Sequence, residues 1–177
     1  MRNFILASSE EGVIGYNGHL PWNLPEEYQY FLDKIKDADA IVMARDTFRE
    51  LGEKPLQNCP HFILTHFPQP DTNNVHFISC LDVPEFSNIW YIGGRSIYES
   101  IDTIKPDRVY ITKVKVNIPT VNIPIGDKVV CLSPSFFNTL YRDYNLIDSS
   151  HSTILDRDTD QKVECEFMIW DRKHKTF

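Results

Sequence analysis

Cysteine is scarce and scattered in this 177-residue chain: Cys59, Cys80, Cys131 and Cys165 lie far apart and form no C-x-x-C pair. That excludes a disulfide scaffold, which would be denser in a smaller chain, and predicts reduced, mostly buried thiols. The six histidines show neither H-x-x-x-H nor H-E-x-x-H, so no metal site is expected. No run approaches the ~18 apolar residues of a membrane span, and Phe4-Ile5-Leu6-Ala7 is too short for a signal peptide. N-x-[ST] acceptors are missing too. These absences point to the cytoplasm and to no membrane partner. A basic excess is also lacking. Eighteen Lys+Arg against 25 Asp+Glu leave −7, which argues against a nucleic-acid surface. There is no internal repeat, no G-x-G-x-x-G and no G-x-x-x-x-G-K-[ST].

What remains is an ordinary globular composition, 42% hydrophobic, at a length that suits one domain over residues 1–177. Short apolar, β-branched runs recur at 2–8, 40–44, 61–65, 75–78, 89–92, 108–114 and 164–170, and read as strands buried on both faces. Between them Pro25–Ile35 predicts a helix, with Pro25 at the first position and Tyr28, Phe31, Leu32 and Ile35 spaced by three and four. Residues 45–51 and 95–101 are shorter helix candidates. Alternating strands and helices predict an α/β fold with a mainly parallel sheet. From Leu140 onward no helix is expected, and the terminal strand suggests an antiparallel hairpin at the sheet edge.

Three places could hold chemistry. The stretch from Gly12 to Pro25 reads as a long functional loop, with Gly15 and Gly18 permitting turns and Trp22 between Pro21 and Pro25. Glu26 and Glu27 follow directly; each could simply complement the helix dipole, or one could turn inward and pair bidentately with an N–H/NH₂ edge. Gly93-Gly94 follows a buried strand and opens a helix, and Ala44-Arg45 forms a second such junction. Either could be a plain turn or a phosphate cradle, and two in one small domain favour a dinucleotide across the carboxyl ends of the strands.

Taken in order, Ile14-Gly15-x4-Leu20-Pro21-Trp22-Asn23-Leu24-Pro25-x-Glu27-x3-Phe31, Met43-x-Arg45-x-Thr47-Phe48, Ile92-Gly93-Gly94-x2-Ile97-Tyr98 and Tyr110-Ile111-Thr112 resemble dihydrofolate reductase over Phe4 to about Trp170. The resemblance implies an eight-stranded, mostly parallel sheet with an antiparallel C-terminal strand and four flanking helices. It implies reduction of 7,8-dihydrofolate to tetrahydrofolate by NADPH, in a monomer. Glu27 would bind the pterin N3 and 2-amino group, with Thr112 hydrogen-bonded to it and Trp22 holding a water nearby. Its burial should raise its pKa. Tyr28, Phe31, Leu51 and Leu56 would wall the pterin and benzoyl group, while Ile5, Ile92 and Tyr98 would border the ring. On the cofactor side, Ala7 and Ile14 would meet the nicotinamide carboxamide, with Gly15 and Leu20 in the covering loop. Gly93 and Gly94, joined by a cis peptide in the family, would touch the pyrophosphate, with Arg45, Thr47, Arg95, Ser96 and Ile97 around them. Asp46 and Thr65 would lie toward the adenosine.

Four departures from the family pattern bear on function. Cys59 stands where the family has an arginine that grips the glutamate α-carboxylate of folate, and only Lys54 is near. Ala44 replaces a glycine, and Asp46 replaces a basic or neutral residue near the 2′-phosphate. Thr120-Val121-Asn122-Ile123-Pro124 lacks the acid that supports loop closure. With a net −7, attraction for anionic ligands must come locally from Arg45, Lys54 and Arg95. Two other readings stand beside the reductase: a pyrimidine reductase of riboflavin synthesis, whose substrate has no glutamate tail, and a non-catalytic pterin- or nucleotide-binding protein.

Overall fold

A computed structural model describes residues 1–174; the last three residues of the expected 1–177 domain lie outside the described part. The apolar runs become strands β1 (Arg2–Ser9), β3 (Ala40–Ala44), β4 (His61–Leu64), β5 (Val75–Ile78), β6 (Ile89–Tyr91) and β7 (Arg108–Val114). Each follows the last with a crossover, as parallel pairing demands. A long hairpin, β9 (Tyr144–Leu155) and β10 (Lys162–Arg172), completes an eight-stranded sheet ordered β5-β4-β3-β6-β1-β7-β10-β9. Strand β10 runs antiparallel to both β7 and β9, so one strand opposes the other seven. The expected edge hairpin is there.

Alternation along β1 and β7 divides the core. Phe4, Leu6, Val109 and Ile111 face one layer, under helices α3 (Arg95–Tyr98), α4 (Ile101–Ile104) and α5 (Pro134–Asp143). Ile5 and Tyr110 face the other with Ile41, Met43 and Ile63, under α1 (Pro25–Ile35) and α2 (Arg45–Glu50). Helix α1 starts at Pro25, as expected, and buries Glu27 and Ile35, which its pitch puts on one face with Phe31.

Several expectations need correction. The helix expected over 95–101 is two single turns, α3 and α4, with Glu99 and Ser100 between them, so five helical segments flank the sheet among the described residues. The segment after Leu140 is not free of helix: α5 runs to Asp143, started by Ser133-Pro134 and packed through Phe136 and Leu140. The Gly12–Pro25 loop is not wholly irregular either. Val13–Tyr16 forms β2 and pairs antiparallel with β8 (Val129–Cys131). Of the four free thiols only Cys59 and Cys165 are buried; Cys80 is exposed.

Candidate active site

The six strands of the parallel run all point their carboxyl ends one way, and the sequence-derived candidates collect there. Ala7 lies near the end of β1, Arg45 follows β3, Thr65 follows β4, Ile92 and Gly93 follow β6, and Thr112 is near the end of β7. Ligands of open α/β sheets bind at this edge. Helix α1 runs back antiparallel, so its first turn reaches the same edge.

That geometry decides between the two glutamates. Glu26 is exposed, while Glu27 is 6% exposed and faces the sheet. Ile5, Ala7, Thr112 and Val114 share the strand face beneath α1, two residues apart along β1 and β7. Ala7 packs with Trp22, Leu24, Val114 and Cys165. Burial lifts the Glu27 carboxyl from 4.5 to about 7, and the hydrogen-bonding Thr112 hydroxyl pulls the other way without offsetting it. Glu27 in turn adds to burial in raising the Cys165 thiol to about 11. The Trp22 indole is buried, and its Nε1 has no protein acceptor among the described residues.

Apolar residues line the approach. Phe31, Leu51, Leu56 and Ile92 belong to one cluster with Ile5. Tyr28 is the outer member: it is 45% exposed, with its ring 5.9 Å from that of Phe31. Tyr98 is buried and donates its hydroxyl to the Ile5 carbonyl at 2.7 Å, so it braces β1 from the opposite layer. Leu20 is 44% exposed on the covering loop, with Ile14 and Gly15 half-buried behind it.

The other half of the edge is bare backbone. Gly93-Gly94 is cis, and Gly93 has φ +123°. A Cβ on Gly93 would meet the Tyr98 hydroxyl at 3.0 Å and Thr47 Oγ1 at 3.4 Å; one on Gly94 would meet Thr47 Oγ1 at 3.5 Å. The Gly93 carbonyl accepts from Ala44 N–H at 2.6 Å, which ties the two strand-to-helix junctions together. Ser96 is exposed and Ile97 buried in the turn that follows. Arg45 and Arg95 flank this strip, held by Glu53 at 2.8 Å and Glu99 at 3.0 Å. Asp46 is exposed and meets Arg49 at 3.4 Å, and Thr65 Oγ1 accepts from Phe67 N–H at 3.1 Å. Two cations, two hydroxyls and a side-chain-free strip fit a pyrophosphate.

Some participants were not legible in advance. Asp127 accepts from Tyr16 Oη at 2.5 Å and Asn17 Nδ2 at 3.0 Å, and Asn17 N–H donates to the Lys128 carbonyl. At the other end of the covering loop, the β9–β10 turn holds Asn23: Asn23 Nδ2 donates to Asp158 at 2.9 Å and Arg157 N–H donates to the Asn23 carbonyl. Glu50, at the end of α2, is a second carboxyl raised by burial, with His19 of the loop lowering it. Two depressions of about 340 and 320 Å³ lie elsewhere, at the amino ends of the strands and beside α5.

A buried carboxyl at one end of the strand edge and a glycine-lined, cation-flanked strip at the other define an α/β oxidoreductase that works with a dinucleotide. Comparisons with known proteins agree. The sequence profile of dihydrofolate reductase matches residues 1–172. The chain is 28% identical to dihydrofolate reductase of Bacillus subtilis over 99% of this chain and 97% of that protein. It is 29% identical to dihydrofolate reductase type 9 of Escherichia coli, over 95% and 91% respectively, and 26% identical to the Aedes albopictus enzyme, over 98% of both. Its fold is similar to that of Enterococcus faecalis dihydrofolate reductase, solved with NADP(H) and RAB-propyl: TM-score 0.71, 20% identity, covering 98% of this chain and 97% of that one. This chain belongs to the dihydrofolate reductase family, and its activity is the NADPH-dependent reduction of dihydrofolate.

Proposed function

We propose that this reaction is carried by Glu27, with Thr112 and Trp22 as its partners. The observation that supports it best is the Glu27 carboxyl itself, 6% exposed at the carboxyl edge of the sheet and titrating at about 7. Glu27 takes the N3–H and 2-amino edge of the pterin on its two oxygens, which fixes the ring's orientation. Thr112 holds the carboxyl in place, and the Trp22 indole offers its N–H to a water at the ring's edge. Ile5, Phe31, Leu51, Leu56 and Ile92 press on the ring and the benzoyl group, with Tyr28 at the mouth. Tyr98 acts through the Ile5 carbonyl that it binds.

NADPH supplies the hydride that reaches pterin C6. Gly93, Gly94, Thr47, Arg45, Arg95, Ser96 and Ile97 hold its phosphates in this reading, Ala7 and Ile14 backbone groups meet the carboxamide, Gly15 and Leu20 cover it, and Asp46 and Thr65 border the adenosine. The loop over residues 17–24 excludes water when closed. N5 must gain a proton as hydride arrives, and solvent beside Trp22 delivers it; Glu27 favours the protonated ring electrostatically.

The same reading makes the chain one reductase domain over residues 1–177 that acts as a monomer in the cytoplasm, without nucleic acid or membrane. One eight-stranded sheet that runs from the first strand to the last and the −7 charge support it, and no helix among the described residues is long and apolar enough to cross a membrane. The riboflavin-pathway and non-catalytic readings are not favoured. Following NADPH absorbance with dihydrofolate, in wild type and Glu27→Gln, tests the assignment. Full hydride-transfer rate in the variant at neutral pH would remove Glu27 from its role.

A further inference from the structure

His61 opens β4 and is fully buried, held between Ile41 of β3 and Val75 of β5. Its two ring nitrogens meet backbone groups of fixed sense: Nδ1 lies 2.7 Å from the Cys59 carbonyl oxygen and Nε2 lies 3.0 Å from the Leu56 amide nitrogen. A carbonyl only accepts and an amide N–H only donates. Nδ1 therefore carries the proton and Nε2 none, which makes the ring neutral in one tautomer. A second proton would set Nε2–H against the Leu56 N–H. Burial keeps His61 below the ordinary imidazole range, with the Cys59 carbonyl pulling upward and no charged side chain contributing. The titratable neighbour on the bound loop is the Cys59 thiol, itself raised by burial and by Asp39 ahead of β3.

The segment that this ring grips has other ties at its two ends, Glu53 to the Phe48 carbonyl at 2.9 Å and to Arg45 at 2.8 Å, and Gln57 Nε2 to the Ala38 carbonyl at 3.4 Å, while Leu56 between them is met by the ring. Gly52 through Pro55 are exposed, and Gly52 and Glu53 have positive φ. The imidazole ties Leu56 in the middle of the loop back to the first residue of the strand.

We propose that His61 is a positioning residue for the substrate cleft: its neutral imidazole fixes Leu56 and the turn to Cys59, so that dihydrofolate affinity depends on it while the hydride step does not. The inference rests on the reading of Leu56 as a wall of that cleft. His61→Phe keeps the ring volume and removes both nitrogens. The expected result is a KM for dihydrofolate raised about tenfold, as for an orphaned buried donor and acceptor. Both kcat and the KM for NADPH should stay within about twofold. His61→Asn, which restores a donor near the Nδ1 position, should recover part of the loss.

Leu56→Ala, assayed in parallel, separates two failures. If it raises the dihydrofolate KM and His61→Phe does not, the positioning role is overturned and the cleft reading stands. If neither variant does, the cleft reading fails and takes the proposal with it. Should His61→Phe not fold, the wild-type enzyme decides by ¹⁵N NMR of the ring. A charged or Nε2-protonated ring at neutral pH overturns the proposal. A neutral Nδ1–H ring whose protonation, followed in the ring's own signals below the Glu27 transition near 7, brings a further rise in the dihydrofolate KM but not in that of NADPH supports it. Protonation without that rise overturns it.

Discussion

The Tyr16 hydroxyl donates to Asp127 at 2.5 Å, across 111 residues of chain, and the same carboxylate accepts from Asn17 at 3.0 Å. Thr120–Pro124 lacks the family's acid, and Asp127 supplies a carboxylate to the covering loop from a few residues further on. These contacts hold the carboxylate below its usual pKa. The latch is therefore present throughout the neutral range and is lost only as pH falls through that depressed value. Asp127→Ala should slow hydride transfer by about tenfold, less than the ~10²-fold that follows a 1 Å misplacement of reacting groups. Single-turnover NADPH oxidation measures it. An unchanged rate would mean that the loop closes without the latch.

Glu27 governs the other pH dependence. Its carboxyl titrates at about 7 in the fold against 4.5 unperturbed. With substrate bound, the pterin ring and the Glu27 carboxylate hold one proton between them; it is lost as pH rises past the neutral range, and the hydride-transfer rate of the wild type should fall there. Glu27→Gln should cost about 10²-fold or more at neutral pH and flatten the profile. The substitution acts on stability in the opposite sense. Between pH 4.5 and 7 the folded state binds the Glu27 proton more tightly than the unfolded chain, so unfolding free energy falls as pH rises, by up to about 3 kcal/mol. Glu27→Gln has no such term. Urea unfolding should find the variant more stable than wild type at pH 8 and the difference gone near pH 4.

The fold was legible wherever local chemistry and tertiary packing agree. Pro25 starts α1, and the spacing that puts Phe31 and Ile35 on one face also carries Glu27 inward. Strands β3 and β6 are buried on both sides and read as apolar runs. Strand β9 does not: nine of its residues in a row are exposed, and the ladder with β10 rather than a hydrophobic pattern holds it. Helix α5 had a signal in Ser133-Pro134 and in Phe136, Phe137, Leu140 and Tyr141, which fall on one side of a helix. The braces of the site carry no local signal. Asp127 and Asp158 meet Asn17 and Asn23 across more than 100 residues, and only the finished sheet brings them together.

Gly93 tests the proposed cofactor strip. Its φ of +123° lies where a side chain is strained, and a Cβ would stand 3.0 Å from the Tyr98 hydroxyl. Gly93→Ala must push Tyr98 off the Ile5 carbonyl or shift the strand-to-helix junction. The expected outcome is a loss of about 1–3 kcal/mol in stability, together with weaker NADPH binding by fluorescence titration. A variant that folds with wild-type stability and binds NADPH equally would place the phosphates elsewhere.

Cys59 bears on what the enzyme accepts. Its side chain is buried with Ile35 and Ala38, and Gln57 Nε2 approaches its sulfur at 3.6 Å. Burial raises the thiol's pKa, so it stays uncharged at neutral pH. A neutral, buried sulfur cannot replace a guanidinium fork on a carboxylate, and each charge-assisted hydrogen bond of that kind contributes about 1.5–3 kcal/mol. Lys54, exposed two residues before Leu56, can offer only a hydrated point charge. The glutamate tail of dihydrofolate should therefore add little. We expect kcat/KM for a dihydropterin carrying the benzoyl group without glutamate to lie within about tenfold of that for dihydrofolate, less than the loss of one bidentate pair would cause. Raising the salt concentration should weaken what preference there is, because an exposed lysine is screened where a buried pair is not. A preference for the full substrate of 10³-fold or more, independent of salt, would show that another cation reaches the tail.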